Sequence, residues 1–173
     1  MVGEVRTGNG RAEKTRFCIV DAQSVKNTET AEEKGYDAGK KVSGIKRHIA
    51  VDTQGLPHAI EVTTADVTDR DGAILMVERE KENLSEVENL LTDGSYTGET
   101  FASRIKDLID ATVEVVKRNE LHTFVVLPKR GGVERSFAWI EKCRRLWKNC
   151  ERKLATSRAM VVLASLALLL KRF

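Results

Sequence analysis

Three carboxylates in this chain stand where acids are costly unless they have a task. Asp21 closes the apolar run Phe17-Cys18-Ile19-Val20, Asp93 ends Leu90-Leu91-Thr92 ahead of Gly94, and Glu134 follows Gly131-Gly132-Val133. An acid at the tip of a buried strand must be hydrogen-bonded, solvated or bound to a cation. Carboxylates on rigid elements are the hard oxygen donors that Mg²⁺ or Mn²⁺ takes. Two such ions about 3.5–4 Å apart stabilise the attacking and leaving oxygens of a phosphoryl transfer. The expectation is therefore a two-metal site that cuts or joins nucleic acid. Asp21 would bridge both ions from the sheet centre, Asp93 would support one, and Glu134 would reach in from a helix.

Each acid also has a plainer explanation. Asp21 could cap a loop through Gln23 or Ser24, Asp93-Gly94 is a common turn dipeptide, and Glu134 suits the first turn of a helix. Asp52, Asp66, Asp69 and Asp71 compete for the same roles. What joins the three is their order along the elements that would carry them. Basic residues cluster in two places: Lys40, Lys41, Lys46 and Arg47, then Lys142, Arg144, Arg145, Lys148, Arg152 and Lys153. Such clusters suit phosphate backbones, though many are solvated faces. The net charge of +3 adds little to that argument.

The elements that must position these acids follow from periodicity. Residues 1–16 are charged and poor in apolar side chains, so little order is expected there. Residues 17–21 read as a strand buried on both faces, and residues 23–44 as a long polar loop or arm. Residues 45–52 and 58–62 alternate and flank Asp52-Thr53-Gln54-Gly55, which predicts a hairpin with one buried face. A helix is expected over 69–83, capped by Asp69 or Asp71, then a strand over 87–92. A helix over 99–109 carries Phe101, Ile105, Leu108 and Ile109 on one stripe, and a strand follows at 112–116. Residues 123–127 read as a strand or an extended lead-in to Pro128. Val133, Phe137, Ile140, Trp147 and Cys150 trace one face of a helix of about 18 residues, and an apolar helix near 156–170 closes the chain. Three strands, helix, strand, helix, strand, helix is an α/β, ribonuclease-H-like order: a mixed sheet flanked by helices, with acids on the first strand, the fourth strand and a late helix. The chain is then one catalytic domain, residues 17–173, behind a poorly ordered segment, residues 1–16.

The chain has 173 residues, 41% hydrophobic and 32% charged, enough for one well-packed domain. Cys18, Cys143 and Cys150 are an odd count without a C-x-x-C pair, which argues against a zinc or disulfide framework and for a reducing cytoplasm. Residues 1–16 lack the apolar core of a secretory signal. The apolar run 159–170 has 12 residues, short of the about 17–25 that span a membrane. It reads as a buried or partner-facing helix.

Several collinear motifs carry a family resemblance. These are Asp21-Ala22-Gln23-Ser24-Val25-Lys26, the basic Gly39-Lys40-Lys41-Val42 through Gly44, Lys46-Arg47-His48 and Asp52, and Gly55-Leu56-Pro57. Ala65-Asp66-Val67, Asp69-Arg70-Asp71-Gly72-Ala73, Thr92-Asp93-Gly94 with Tyr96 and Gly98, and Val126-Leu127-Pro128-Lys129-Arg130 continue the series. Val133-Glu134-Arg135-Ser136-Phe137-Ala138-Trp139 and Cys143-Arg144-Arg145-Leu146 complete it. Together they resemble bacterial insertion-sequence transposases with a DDE triad, of the insertion-sequence-five-like group, from about residue 17 to the end. The resemblance implies Asp21, Asp93 and Glu134 as catalytic metal ligands, with 71 residues between the first two and 40 between the second and third. It implies a phosphate role for Arg130, four before Glu134, and DNA contacts from Lys129, Lys142, Arg144 and Arg145 besides Lys40, Lys41, Lys46 and Arg47. The residue seven past the glutamate is Glu141 rather than a lysine, so Lys142 inherits that role only by proximity. The implied partners are element terminal inverted repeats, target DNA and further copies of the chain, at the nucleoid in the cytoplasm, with no membrane. Gly131-Gly132 departs from the tryptophan and valine usual in the family and would loosen the start of the helix bearing Glu134. Relatives also carry a helical DNA-binding region before the first aspartate, so the chain reads as a truncated or split-frame catalytic part. An inactive remnant that binds DNA or dimerises as a regulator is the alternative.

Overall fold

The sheet is laid out from β1 (Phe17–Lys26). Its first residues are apolar without alternation, so both faces need cover. In the computed structural model, which describes residues 1–116 and 131–171, β3 (Val42–Val51) pairs with β1 antiparallel and β5 (Asn89–Asp93) pairs with it parallel. β4 (Pro57–Thr64) continues outward from β3 as a hairpin, and β6 (Thr112–Val116) continues from β5 in parallel. The order β4-β3-β1-β5-β6 is the ribonuclease-H-like order expected from the sequence. A short strand, β2 (Gly35–Asp37), is added on the first residues of β3.

Helices fill the two faces. α2 (Asp69–Arg79) and α3 (Glu99–Ile109) make the crossovers that parallel strands require. They pack Met76, Val77, Phe101 and Ile105 against Cys18, Val20, Ala50 and Leu90. α4 (Gly131–Glu141) and α5 (Leu154–Leu170) bring Val133, Phe137, Ile140 and Val161 against Ile19, Val25, Ile45, Ile49 and Leu91. Alternate strand residues point to opposite faces, so Cys18 and Val20 look toward α2 while Ile19 and the residues in phase with it look toward α4.

Several expectations are corrected. Residues 1–16 are not featureless: α1 (Val2–Gly8) sets Val5 against Leu56 and Leu169, and Arg6 is buried in an ion pair with Asp52. The buried pair, the small apolar contact and hydrogen bonds such as Arg6 Nε to Ala12 O and Lys14 Nζ to Ser85 Oγ hold a segment whose composition predicts disorder. β1 runs on to Lys26, registered with Gly44, so the expected loop at 23–44 is sheet at both ends and again at Gly35–Asp37. The hairpin is buried on both faces rather than one, because Lys46, Arg47 and His48 all point inward. Thr68, not Asp69 or Asp71, caps α2, its hydroxyl accepting from Asp71 N–H at 3.1 Å. α4 stops at Glu141, the chain then turns, and Asn149 returns to bridge Asn27. Trp147 is therefore 62% exposed instead of lining a core. The strand expected at 123–127, and Lys129 and Arg130, lie outside the described residues.

Gly72 shows how closely α2 approaches β3: a Cβ there would lie 2.0 Å from Cε1 of His48. Gly72→Ala should cost about 1–3 kcal/mol by overpacking, although alanine is the better helix former by roughly 1 kcal/mol. An unchanged urea midpoint would contradict this packing.

Candidate metal centre and nucleic-acid face

The parallel ladder pairs Ile19 of β1 with Leu91 of β5. The same offset carried two residues further brings Asp21 alongside Asp93, both in phase with residues facing α4. Neighbouring strands run about 4.8 Å apart, and the ladder itself ends at Ile19 and Leu91, two residues short of the acids. Both are half-buried, and they line one cleft with Ile19, Leu91, Thr92, Val116 and Val133. Asp21 Oδ1 accepts the N–H of Ala22 at 2.7 Å. Asp93 Oδ1 accepts the N–H of Ser95 at 2.9 Å and also its hydroxyl, capping a 3₁₀ turn, Gly94–Tyr96. The backbone thus orients one oxygen of each acid.

Glu134 stands on the first turn of α4, exposed, next to Val133 in the cleft wall. Among the described residues no three His, Cys, Asp or Glu side chains lie close enough together to hold a metal ion. The structure therefore brings Asp21 and Asp93 together and leaves Glu134 at the rim. The donor chemistry fits a divalent ion, since two carboxylates lining one cleft offer hard oxygens. The start of α4 is not loose. Ser136 donates its hydroxyl to Gly55 O at 2.8 Å and lies 2.9 Å from Gly132 O. A Cβ on Gly55 would lie 2.9 Å from Gly132 O. Glycine at these places lets the helix start press against the β3–β4 turn.

Behind the acids lies Tyr96, fully buried, tilted 50° against Phe101 with ring centroids 5.5 Å apart. Burial first, then the fields of Asp21, Asp69 and Asp93, push its phenol well above the usual range. It stays protonated beside the acids, and its place in the motif Thr92-Asp93-Gly94 with Tyr96 gives no sign of that burial.

The basic residues divide by exposure. Lys40, exposed, donates Nζ to Ala22 O at 3.1 Å, one residue from Asp21. Lys41, Lys142, Arg144 and Arg145 are exposed, and Arg145 pairs with Glu151 at 2.9 Å. Lys46 and Arg47, expected at DNA, are turned inward because β3 is covered on both faces. Lys46 meets Asp69 at 2.9 Å, Asp37 at 3.6 Å and Val67 O at 2.7 Å. Burial opposes ionisation of Asp37, but the Ser24 hydroxyl, the Lys40 N–H and the two lysine charges hold its pKa down to about 2. Arg47 is 1% exposed on the other face and donates Nη2 to Leu146 O at 2.7 Å. Burial lowers its pKa to about 10, against the pull of Glu141 and Cys143, so it remains charged at neutral pH. These two cations organise the interior rather than present charge to a duplex.

Residues 12–170 match the family model described as Transposase DDE domain, a span that includes the two strands and the helix carrying the three acids. The chain belongs to the DDE transposase family. No curated protein matches this transposase-family chain. Its fold is similar to a chain in the cryo-electron microscopy structure of the simian T-cell lymphotropic virus intasome in complex with PP2A regulatory subunit B56 gamma. That likeness has a TM-score of 0.55 at 15% identity and covers 88% of this chain and 47% of that one. The likeness is one of fold, and this transposase-family chain spans about half the length of the solved chain it matches. None of its helices, among the described residues, is long and apolar enough to cross a membrane.

His48 makes the buried cluster under α2 testable. Its Nε2 lies 3.0 Å from Thr63 Oγ1. Burial lowers its pKa from 6.5 to about 4, with Asp69 opposing and Lys46 and Lys40 adding to the shift. Between those values the unfolded chain binds more protons, so His48's contribution is complete above about pH 6.5 and is lost as pH falls toward about 4. Thermal melts should weaken across that window, and His48→Gln should flatten the slope. A wild-type slope equal to that of the variant would contradict a neutral, buried ring.

Proposed function

We propose that the chain is the catalytic part of a DNA transposase that cleaves insertion-sequence ends and joins them to target DNA. The observation that carries this reading is the cleft shared by Asp21 and Asp93 on the sheet face covered by the helix that bears Glu134. Asp21 and Asp93 would hold Mg²⁺ or Mn²⁺, with Glu134 completing a two-ion set from the rim. Bound divalent ions supply charge stabilisation at the attacking and leaving oxygens. In the first reaction water hydrolyses a phosphodiester at the element end and leaves a 3′-OH. In the second that 3′-OH attacks a target phosphodiester and displaces another 3′-oxygen. Lys40, whose ammonium reaches the backbone beside Asp21, would meet a phosphate near the cut. Lys41, Lys142, Arg144 and Arg145 hold the flanking backbone, and Lys129 and Arg130 belong to the same set. The partners are terminal inverted repeats, target DNA and at least one further copy of the chain, in the cytoplasm at the nucleoid. Residues 17–173 form the catalytic domain in this reading.

A second reading, a non-cleaving relative that binds DNA or dimerises as a regulator, draws on the rim position of Glu134. One assay separates them. Supercoiled plasmid carrying a terminal repeat should be nicked in Mn²⁺, and Asp21→Asn, Asp93→Asn or Glu134→Gln should each lower the rate by about 100-fold or more, since even outer-shell partners of a metal site cost about 10–100-fold. Nicking undiminished in Asp21→Asn would rule out the assignment. DNA binding without any nicking would select the regulator.

A further inference from the structure

The turn after α4 presents an aromatic ring that neither the core nor the acid centre uses. Trp147 is 62% exposed, between Leu146 at 4% and, two residues on, Asn149 at 4%. Lys148 Nζ stands 4.5 Å from the centroid of its ring. Lys142, Arg144 and Arg145 are exposed on the same turn. This is an indole inside a cationic patch, with an ammonium already over it.

The turn is strapped down, so the backbone that carries the ring is held at a defined place. Arg47, buried in the sheet, donates to Leu146 O at 2.7 Å. Asn149 N–H donates to Lys26 O at 2.9 Å, Thr28 N–H donates to Asn149 O at 2.8 Å, and Ser157 donates its hydroxyl to Asn149 Oδ1 at 2.7 Å. Gln23 Nε2 meets Glu141 Oε1 at 2.6 Å just ahead of the turn. These ties run along the second half of β1, which begins two residues after Asp21. At about 3.3 Å per residue, the stretch from Asp21 to Asn27 measures roughly 20 Å. A DNA strand spans that in about six nucleotides at about 3.4 Å each.

We propose that Trp147 is a stacking platform for an unpaired base of the DNA strand that passes the acid pair, with Lys142, Arg144, Arg145 and Lys148 meeting the phosphates on either side. The inference rests on the reading of the chain as a DNA-acting enzyme and names the form of substrate it takes: DNA with unpaired nucleotides beside the cut. Lysine and arginine alone suffice for a paired backbone, whereas an exposed indole contributes most where a base is free to leave the stack. The same ties explain Arg47, a buried cation too deep to touch DNA, whose visible work is to hold the backbone beside the ring.

Intrinsic fluorescence tests this. In the full chain carrying Trp139→Phe, emission reports Trp147 alone, and EDTA in the buffer separates binding from cleavage. A single-stranded oligonucleotide of about ten residues should quench the emission, while a blunt duplex of the same sequence should quench it weakly. Trp147→Ala should weaken single-strand binding, read by anisotropy of a labelled oligonucleotide, by about tenfold. Its duplex affinity should change less than about threefold, and Trp147→Phe should keep most of the single-strand affinity. The exposed position leaves folding intact, which an unaltered melting temperature checks. Equal single-strand affinity in wild type and Trp147→Ala overturns the proposal. So does equal quenching by duplex, or emission that moves with protein concentration alone, which marks a contact between copies. Quenching in a chain that never nicks keeps this inference and removes the catalytic one.

Discussion

Two like charges held side by side constrain everything near them. The β1–β5 ladder, paired as far as Ile19 and Leu91, carries Asp21 and Asp93 to one cleft, where their like charges repel. Nothing in the local chain avoids this, because the register is set by Cys18, Ile19, Leu90 and Leu91 packing into cores on opposite faces of the sheet. Burial of those four residues is stronger than the repulsion it imposes, at about 1.5–3 kcal/mol for each large side chain. The fold thus sets an electrostatic demand at that cleft, one that a divalent cation would answer in the proposed reading.

The surroundings are arranged around that demand. Tyr96, kept protonated by burial and by the neighbouring acids, closes the centre from beneath without adding charge. Lys46 is turned to Asp69 and Asp37 and Arg47 to Leu146 O, so neither supplies the neutralising charge directly. Ser136 and the close contact between Gly55 and Gly132 fix where α4 begins, and with it where Glu134 can swing. The departure at Gly131-Gly132 therefore acts as a close-packing device at Gly132, where extra side-chain bulk would meet the β3–β4 turn.

Much of this was legible from residue pattern. The stripe Phe101, Ile105, Leu108 and Ile109, bounded by Gly98 and Asp110, specifies α3 to the residue, and β6 likewise. The order of acids along the elements was legible because each sits at a boundary between an apolar run and polar residues. What escaped was polar burial. Gln23 and Ser24 continue β1 because Glu141 and Asp37 receive them, and Arg6 orders α1 because Asp52 lies buried at the end of β3. Periodicity scores such residues as loop, since their partners are far away in sequence. The opposite error occurred at Trp147, where apolar spacing carried the helix past Glu141 although Leu146 is the side chain that turns inward.

The central claim is that acids from three separate elements serve one divalent pocket, and calorimetric titration with Mn²⁺ tests it most directly. Asp21→Asn and Asp93→Asn should each abolish most of the binding heat, Glu134→Gln should weaken affinity, and the double variants should lose no more than the worse single, because the groups act as a unit. Wild-type affinity in Asp21→Asn, or losses in Asp21→Asn and Asp93→Asn that simply add, would contradict a shared pocket.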